Sequence, residues 1–175
     1  MLKPGDTVPP FDLPCAAGDR VERLRLSQIN TDMVVVVFYP HDFSFICPTE
    51  VVGFHNARKA FAAEQTSIVA ASVDDAETHL RWARELGGIS YPLLADEGGT
   101  LARAYGVFEE HTGLAMRATF ILDSKRTVAY CVASPVNVGR SVSETLRVVR
   151  ALRSGRMCPA DWEPGSPSGP AGQQN

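Results

Sequence analysis

The chain lacks any long hydrophobic run. Its longest apolar stretch, Met33-Val34-Val35-Val36-Val37-Phe38-Tyr39, is seven residues, against the roughly 20 that a membrane-spanning helix needs. The opening Met1-Leu2-Lys3-Pro4-Gly5-Asp6 has no apolar core, so it does not read as a secretory signal. Basic residues form no stripe and do not interleave with aromatics. With 17 Lys and Arg against 20 Asp and Glu, the net charge is −3, and no nucleic-acid or membrane partner is expected. Cysteine is scarce and dispersed, at positions 15, 47, 131 and 158, with no Cys-x-x-Cys. That excludes a small disulfide-stapled secreted domain and argues strongly against a general disulfide exchanger. A cytoplasmic protein with reactive thiols fits better. His41, His55, His79 and His111 have no metal-ligand spacing with the cysteines, so no metal site is expected. No internal repeat is present, and 175 residues suit one domain with a sizeable core.

What the chain does have is organised around residues 33–50. The apolar run reads as a strand buried on both faces, and it stops at Pro40, which has no N–H for a sheet ladder. A short polar and aromatic loop follows. Cys47 then precedes Pro48, a favoured first-turn helix residue, and Val51, Phe54, Ala57 and Phe61 continue as a helical apolar stripe. Cys47 is therefore expected at a strand-to-helix junction. The positive end of the helix dipole and free backbone N–H groups there favour a thiolate over a thiol.

The remaining elements alternate. Ser67–Val73 reads as a second buried strand. Asp74 with Glu77 resembles a capping box for a helix running through Leu80, Ala83 and Leu86 to Gly87-Gly88. A short helix ends at Gly106. Arg117–Leu122 and Thr127–Val132 form a hairpin, because so short a connection forces antiparallel pairing. Ser141 and Glu144 open a last helix with Val142, Leu146, Val149 and Leu152 on one face, ended by Gly155. Parallel βαβ, a hairpin and a covering helix predict an α/β thioredoxin-like fold, a central mixed sheet flanked by helices. The expected division is a domain over 1–155 and a C-terminal segment over 156–175, whose Gly, Ser, Pro, Ala and Gln content beyond Pro164 predicts a loose tail.

The stretch Pro40-His41-Asp42-Phe43-Ser44-Phe45-Ile46-Cys47-Pro48-Thr49-Glu50 resembles the peroxiredoxin active-site loop, Pro-x-x-x-Thr/Ser-x-x-Cys, in its alkyl hydroperoxide reductase branch. Serine replaces the commoner threonine, and His41 takes a place that is usually apolar. Two further segments resemble the same family. Arg117-Ala118-Thr119-Phe120-Ile121-Leu122-Asp123 matches the strand whose arginine contacts the reactive cysteine and the peroxide. Met157-Cys158-Pro159-Ala160-Asp161-Trp162 matches the segment carrying the resolving cysteine of typical 2-Cys peroxiredoxins.

The resemblance implies a thiol-dependent peroxidase for hydrogen peroxide and organic hydroperoxides, with a Cys47 sulfenic acid resolved by Cys158 of the partner subunit. Pro40 would shield the thiolate, Ser44 and Arg117 would polarise the O–O bond, and Glu50 would hold the active-site arginines in register. A cysteine of pKa about 8.5 gains roughly 30-fold at most from complete ionisation at pH 7, so the site must also stabilise the leaving oxygen. The thiol carries the oxidising equivalents itself, so the resemblance implies no cofactor and no metal. It also implies a homodimer, with larger rings possible, and a thioredoxin-like protein or a flavoprotein reductase as electron donor. The alternative of the same fold is a peroxide-signalling relay or holdase chaperone. Cys131 and Cys15 read as structural. Over-oxidation-sensitive relatives carry a Gly-Gly-Leu-Gly segment and a C-terminal helix with a Tyr-Phe pair. This chain has Gly87-Gly88-Ile89-Ser90, and no Tyr or Phe after Trp162.

Overall fold

The computed structural model describes residues 1–171. Its centre is β3 (Met33–Phe38), where Val34 through Phe38 are all buried, as expected of β-branched residues packed on both faces of a sheet. β4 (Thr66–Ser72) and β5 (Leu93–Ala95) lie parallel to it in succession on one side. On the other side β8 (Arg117–Leu122) pairs antiparallel with β3, and β9 (Val128–Ser134) pairs antiparallel with β8. The hairpin of β1 (Asp12–Ala17) and β2 (Arg20–Arg25) adds to β5, giving a seven-stranded mixed sheet in the order β2-β1-β5-β4-β3-β8-β9. A separate two-stranded ribbon joins β6 (Phe108–Glu109) to β7 (Leu114–Ala115).

Alternation along β3 separates the two faces. Val35, Val37 and Tyr39 pack with α1 (Cys47–Ala63), α2 (Ala76–Glu85) and α4 (Val142–Ser154). Val34, Val36 and Phe38 pack with Phe120 and with α3 (Thr100–Ala104) and its cap Tyr105. The fold is thus the thioredoxin-like mixed sheet flanked by helices.

Local chemistry shifts some details. The cap of α2 is Asp75, whose side chain accepts from Thr78 N at 2.8 Å, and not Asp74. Asp74 is committed elsewhere: its Oδ2 accepts from Asp42 N at 2.9 Å and from Ser72 Oγ at 2.6 Å. At α4 only half of the capping box forms. Ser141 Oγ accepts from Glu144 N at 3.1 Å, but the Glu144 carboxylate turns to Arg147 at 2.6 and 2.8 Å. An ion pair one turn along the helix wins over a second cap bond.

The loose tail also needs correction over its described part. Met157 N donates to Pro170 O at 3.1 Å, Gly169 N to Met157 O at 2.9 Å, and Trp162 is buried. Backbone pairing requires no apolar side chains, so a Gly- and Pro-rich stretch can fold back where its composition cannot build a core. Positions 172–175 of that expectation lie outside the described residues.

Candidate active site

β3 ends at a proline that cannot extend the ladder, and the last bond in this register is Tyr39 N to Ala71 O at 3.0 Å. Pro40 is buried there. The loop that follows is pinned at its start. Buried Asp42 accepts from Tyr39 O–H at 2.8 Å and faces His79 Nδ1 at 2.8 Å, while His79 Nε2 faces Leu94 O at 3.1 Å. Beyond Asp42 the loop is freer. Phe43 is left-handed at φ 54°, and Phe45 is 94% exposed.

α1 begins at Cys47 with Pro48 in its first turn, and its cap, Ile46, offers no side-chain bond. Ser44 fills that need: Cys47 N donates to Ser44 Oγ at 3.3 Å. Accepting this bond uses a lone pair of Ser44, so its own O–H stays free to donate.

The Cys47 side chain is fully buried, and its Sγ accepts from Arg117 Nη1 at 3.3 Å. Arg117 enters from the first residue of β8. The same nitrogen reaches Glu50 Oε2 at 2.8 Å, and Nε donates to Val136 O at 2.8 Å, which fixes the guanidinium plane. Glu50, one turn after Cys47, also takes a fork from Arg140: Nε to Oε1 at 2.8 Å, Nη2 to Oε2 at 3.0 Å, and the backbone N to Oε1 at 2.7 Å. Arg140 Nη1 donates to Ala118 O at 2.7 Å and Thr119 Oγ1 at 3.1 Å. Gly139 allows this approach, since a Cβ there would stand 3.2 Å from Ile46 Cγ2. Burial raises the Glu50 pKa, but Arg140's hydrogen bonds and charge, with the charge of Arg117, outweigh it and hold the carboxyl below its ordinary range. One buried carboxylate therefore faces two buried guanidinium ions, and the local sum is positive beside the sulfur.

Such an arrangement can hold an anionic sulfur and an oxygen that gains negative charge during bond cleavage. Cys47, Ser44, Glu50 and Arg117 are gathered here with Pro40 close in the chain. Cys158 is not. It follows α4, with Sγ 3.3 Å from Ser154 Oγ. The α4 C-terminus lies by the far end of α1, where Arg150 and Arg153 meet Glu64 at 3.1 and 3.6 Å. Cys15 is buried in β1, and burial, then the Glu22 charge, push its thiol up to about 11. Cys131 is half-buried in edge strand β9.

Arg140 escaped the sequence reading. Its only local signal is its place before the helix cap Ser141, where an arginine ordinarily reads as solvated. The buried Tyr39–Asp42–His79 group also escaped, because His79 joins Asp42 across 37 positions and leaves no local pattern. Ligand atoms of Asp42, Asp74 and His79 lie within 4.8 Å of one another, and all three side chains already have hydrogen-bond partners.

The family model for the AhpC/TSA family matches residues 4–131, stopping before Arg140 and Cys158. A putative peroxiredoxin of Synechocystis is 36% identical, over 94% of this chain and 88% of its own. A thioredoxin peroxidase of Fasciola hepatica is 35% identical, over 95% and 91%. Among solved structures, the reduced 2-Cys peroxiredoxin of Plasmodium vivax superposes with a TM-score of 0.88 at 30% identity, covering 96% of this chain and 93% of that one. The AhpC of Mycobacterium tuberculosis gives 0.85 at 30% identity, over 93% and 99%. The chain therefore belongs to the AhpC/TSA family of peroxiredoxins, the thiol-dependent peroxidases.

Proposed function

We propose that this peroxidase works through Cys47 and is resolved by Cys158 of a second copy of the chain. The observation that carries the first half is the shared Arg117 nitrogen, 3.3 Å from Cys47 Sγ and 2.8 Å from Glu50 Oε2. The Cys47 sulfur, as thiolate, attacks one peroxide oxygen. The S–O bond forms as the O–O bond breaks, sulfur is oxidised, and the other oxygen leaves as water or alcohol after taking up the proton that the thiol gave up. Arg117 faces both the sulfur and the developing oxyanion, Ser44 O–H donates toward the peroxide, Pro40 limits water, and Glu50 with Arg140 keeps Arg117 in place.

The second half rests on the two ends of α1. Cys47 is its first residue, and α1 is 17 residues long, about 25 Å at 1.5 Å per residue. Cys158 sits by the opposite end, behind the Arg150–Glu64 and Arg153–Glu64 pairs. A bond within one chain would require dismantling α1 or α4, so resolution by a partner's Cys158 is the economical route. Its sulfur attacks the sulfenic sulfur, a disulfide forms and water leaves. A thiol reductant of thioredoxin-like or flavoprotein-linked type then returns two electrons and two protons, and the name of the Fasciola relative favours the former. This reading makes the protein a homodimer at least, with 1–155 as its catalytic domain and 156–175 as the resolving segment.

The test is a non-reducing gel after one equivalent of peroxide. A covalent dimer is expected, absent from Cys47→Ser and from Cys158→Ser and retained in Cys15→Ser and Cys131→Ser. A dimer that survives Cys158→Ser but vanishes with Cys15→Ser overturns the reading.

A further inference from the structure

The surroundings of Cys158 differ in kind from those of Cys47. α4 stops at Ser154, and Gly155, left-handed at φ 62°, turns the chain back across the helix end. Ser154 Oγ donates its hydrogen to Ala151 O at 2.7 Å, accepts from Arg156 N at 3.2 Å, and lies 3.3 Å from Cys158 Sγ. With its one hydrogen committed to Ala151, Ser154 meets the sulfur as an acceptor, and the thiol S–H is the donor. The sulfur's other partners are also oxygens, Arg156 O at 3.5 Å and Ala151 O at 3.8 Å. Cys47 Sγ, by contrast, accepts from a guanidinium. Farther along, the same segment is held a second time: Arg147 Nη1, itself gripped by Glu144, donates to the carbonyl of buried Trp162 at 3.2 Å.

We infer that Ser154 is a positioning residue for the resolving step, an inference that rests on Cys158 being the resolving thiol. Its hydroxyl stows Cys158 as a hydrogen-bonded thiol on the end of α4, and resolution starts when this dock releases. Ser154 also caps Arg156 N, so one side chain ties both the sulfur and the backbone of the turn. Opening it frees the thiol and the turn together. The released sulfur then forms the S–S bond with the partner's Cys47 sulfenic acid as the S–O bond breaks, and its proton leaves in the water.

The experiment is iodoacetamide alkylation of Cys158 in the reduced full-length protein, read by mass spectrometry, with amide exchange of residues 156–162 compared with that of central α4. Ser154→Ala should speed Cys158 alkylation by about fivefold, the size of one net hydrogen bond, and speed exchange in 156–162 without speeding it in central α4. Ser154→Thr, which keeps the hydroxyl, should restore the wild-type rate. Wild-type alkylation in Ser154→Ala, or equal acceleration in both variants, overturns the dock. Loss of the Ser154 effect while the peroxide-induced dimer still depends on Cys158 sinks this inference alone. Persistence of that dimer in Cys158→Ser sinks the resolving assignment instead.

Discussion

Arg117 reaches Cys47 across 70 positions of sequence, its Nη1 standing 3.3 Å from the sulfur while bonding Glu50 at 2.8 Å. If the arginine only kept the thiol ionised, a pH high enough to ionise the buried thiol without it would restore the rate. The arginine has a second task, at the breaking O–O bond. Arg117→Met should therefore slow Cys47 oxidation by about 100-fold or more, with a large deficit remaining at alkaline pH. Stopped-flow fluorescence after mixing with peroxide, at pH 7 and at alkaline pH, measures this, and full recovery in alkali would confine Arg117 to ionisation.

Ser44 offers a sharper contrast. Its oxygen already accepts from Cys47 N, and its hydrogen is free for peroxide. Ser44→Ala should be slow by about 100-fold or more, the scale of a lost transition-state donor, while Ser44→Thr stays close to wild type. A fast Ser44→Ala enzyme would remove the hydroxyl from the mechanism.

Glu50 is the counter-ion for two guanidinium groups, with side chains only 2–3% exposed. Glu50→Leu should destabilise the fold by about 3–5 kcal/mol, because it strands buried positive charge. The carboxyl's pKa is depressed in the folded state. Its stabilisation is therefore complete above the unfolded value near 4.5 and is lost as pH falls through the lower folded value. Denaturant titrations at pH 7 and below 4.5 should show the wild type losing stability in acid more steeply than Glu50→Leu. Parallel pH curves would contradict the assignment.

The sequence carried what depends on neighbours in the chain. The β3 run, Pro40, Cys47 with Pro48 and the stripe on α1 are local signals, and each sits where its pattern pointed. Contacts that cross the fold were harder to read. Arg140 joins Glu50 over 90 positions, and nothing around Gly139-Arg140 announces it. The α2 cap was misread for a related reason: Asp74 and Asp75 are equal candidates locally, and a bond from Asp42, 32 residues away, takes Asp74 out of contention. The fold-back of 156–171 rests on backbone bonds that composition does not reveal.

Over-oxidation follows from how readily the site opens. In place of Gly-Gly-Leu-Gly, the chain has Gly87-Gly88-Ile89-Ser90, and the N and Oγ of Ser90 meet His55 Nδ1 at 3.2 and 3.3 Å in the middle of α1. At the first turn of α1 the side-chain cap is a 3.3 Å bond from Cys47 N to Ser44 Oγ, and Phe45 is exposed. Opening around Cys47 should be cheap, so the disulfide should form before a second peroxide reacts. Mass spectrometry of Cys47 during turnover is expected to find little sulfinic acid even at high peroxide. Its accumulation at low peroxide, with Cys158 intact, would contradict this.

Because Cys47 and Cys158 occupy opposite ends of α1 in one chain, mixing two inactive halves tests the central claim most directly. Cys47→Ser and Cys158→Ser should each fail to form a covalent dimer alone. Mixed, allowed to exchange subunits and given one equivalent of peroxide, they should form a dimer whose single disulfide joins Cys47 of one variant to Cys158 of the other. Exchanged mixtures that take up peroxide at Cys47 yet form no such bond, under conditions where the wild type does, would contradict resolution across the partner.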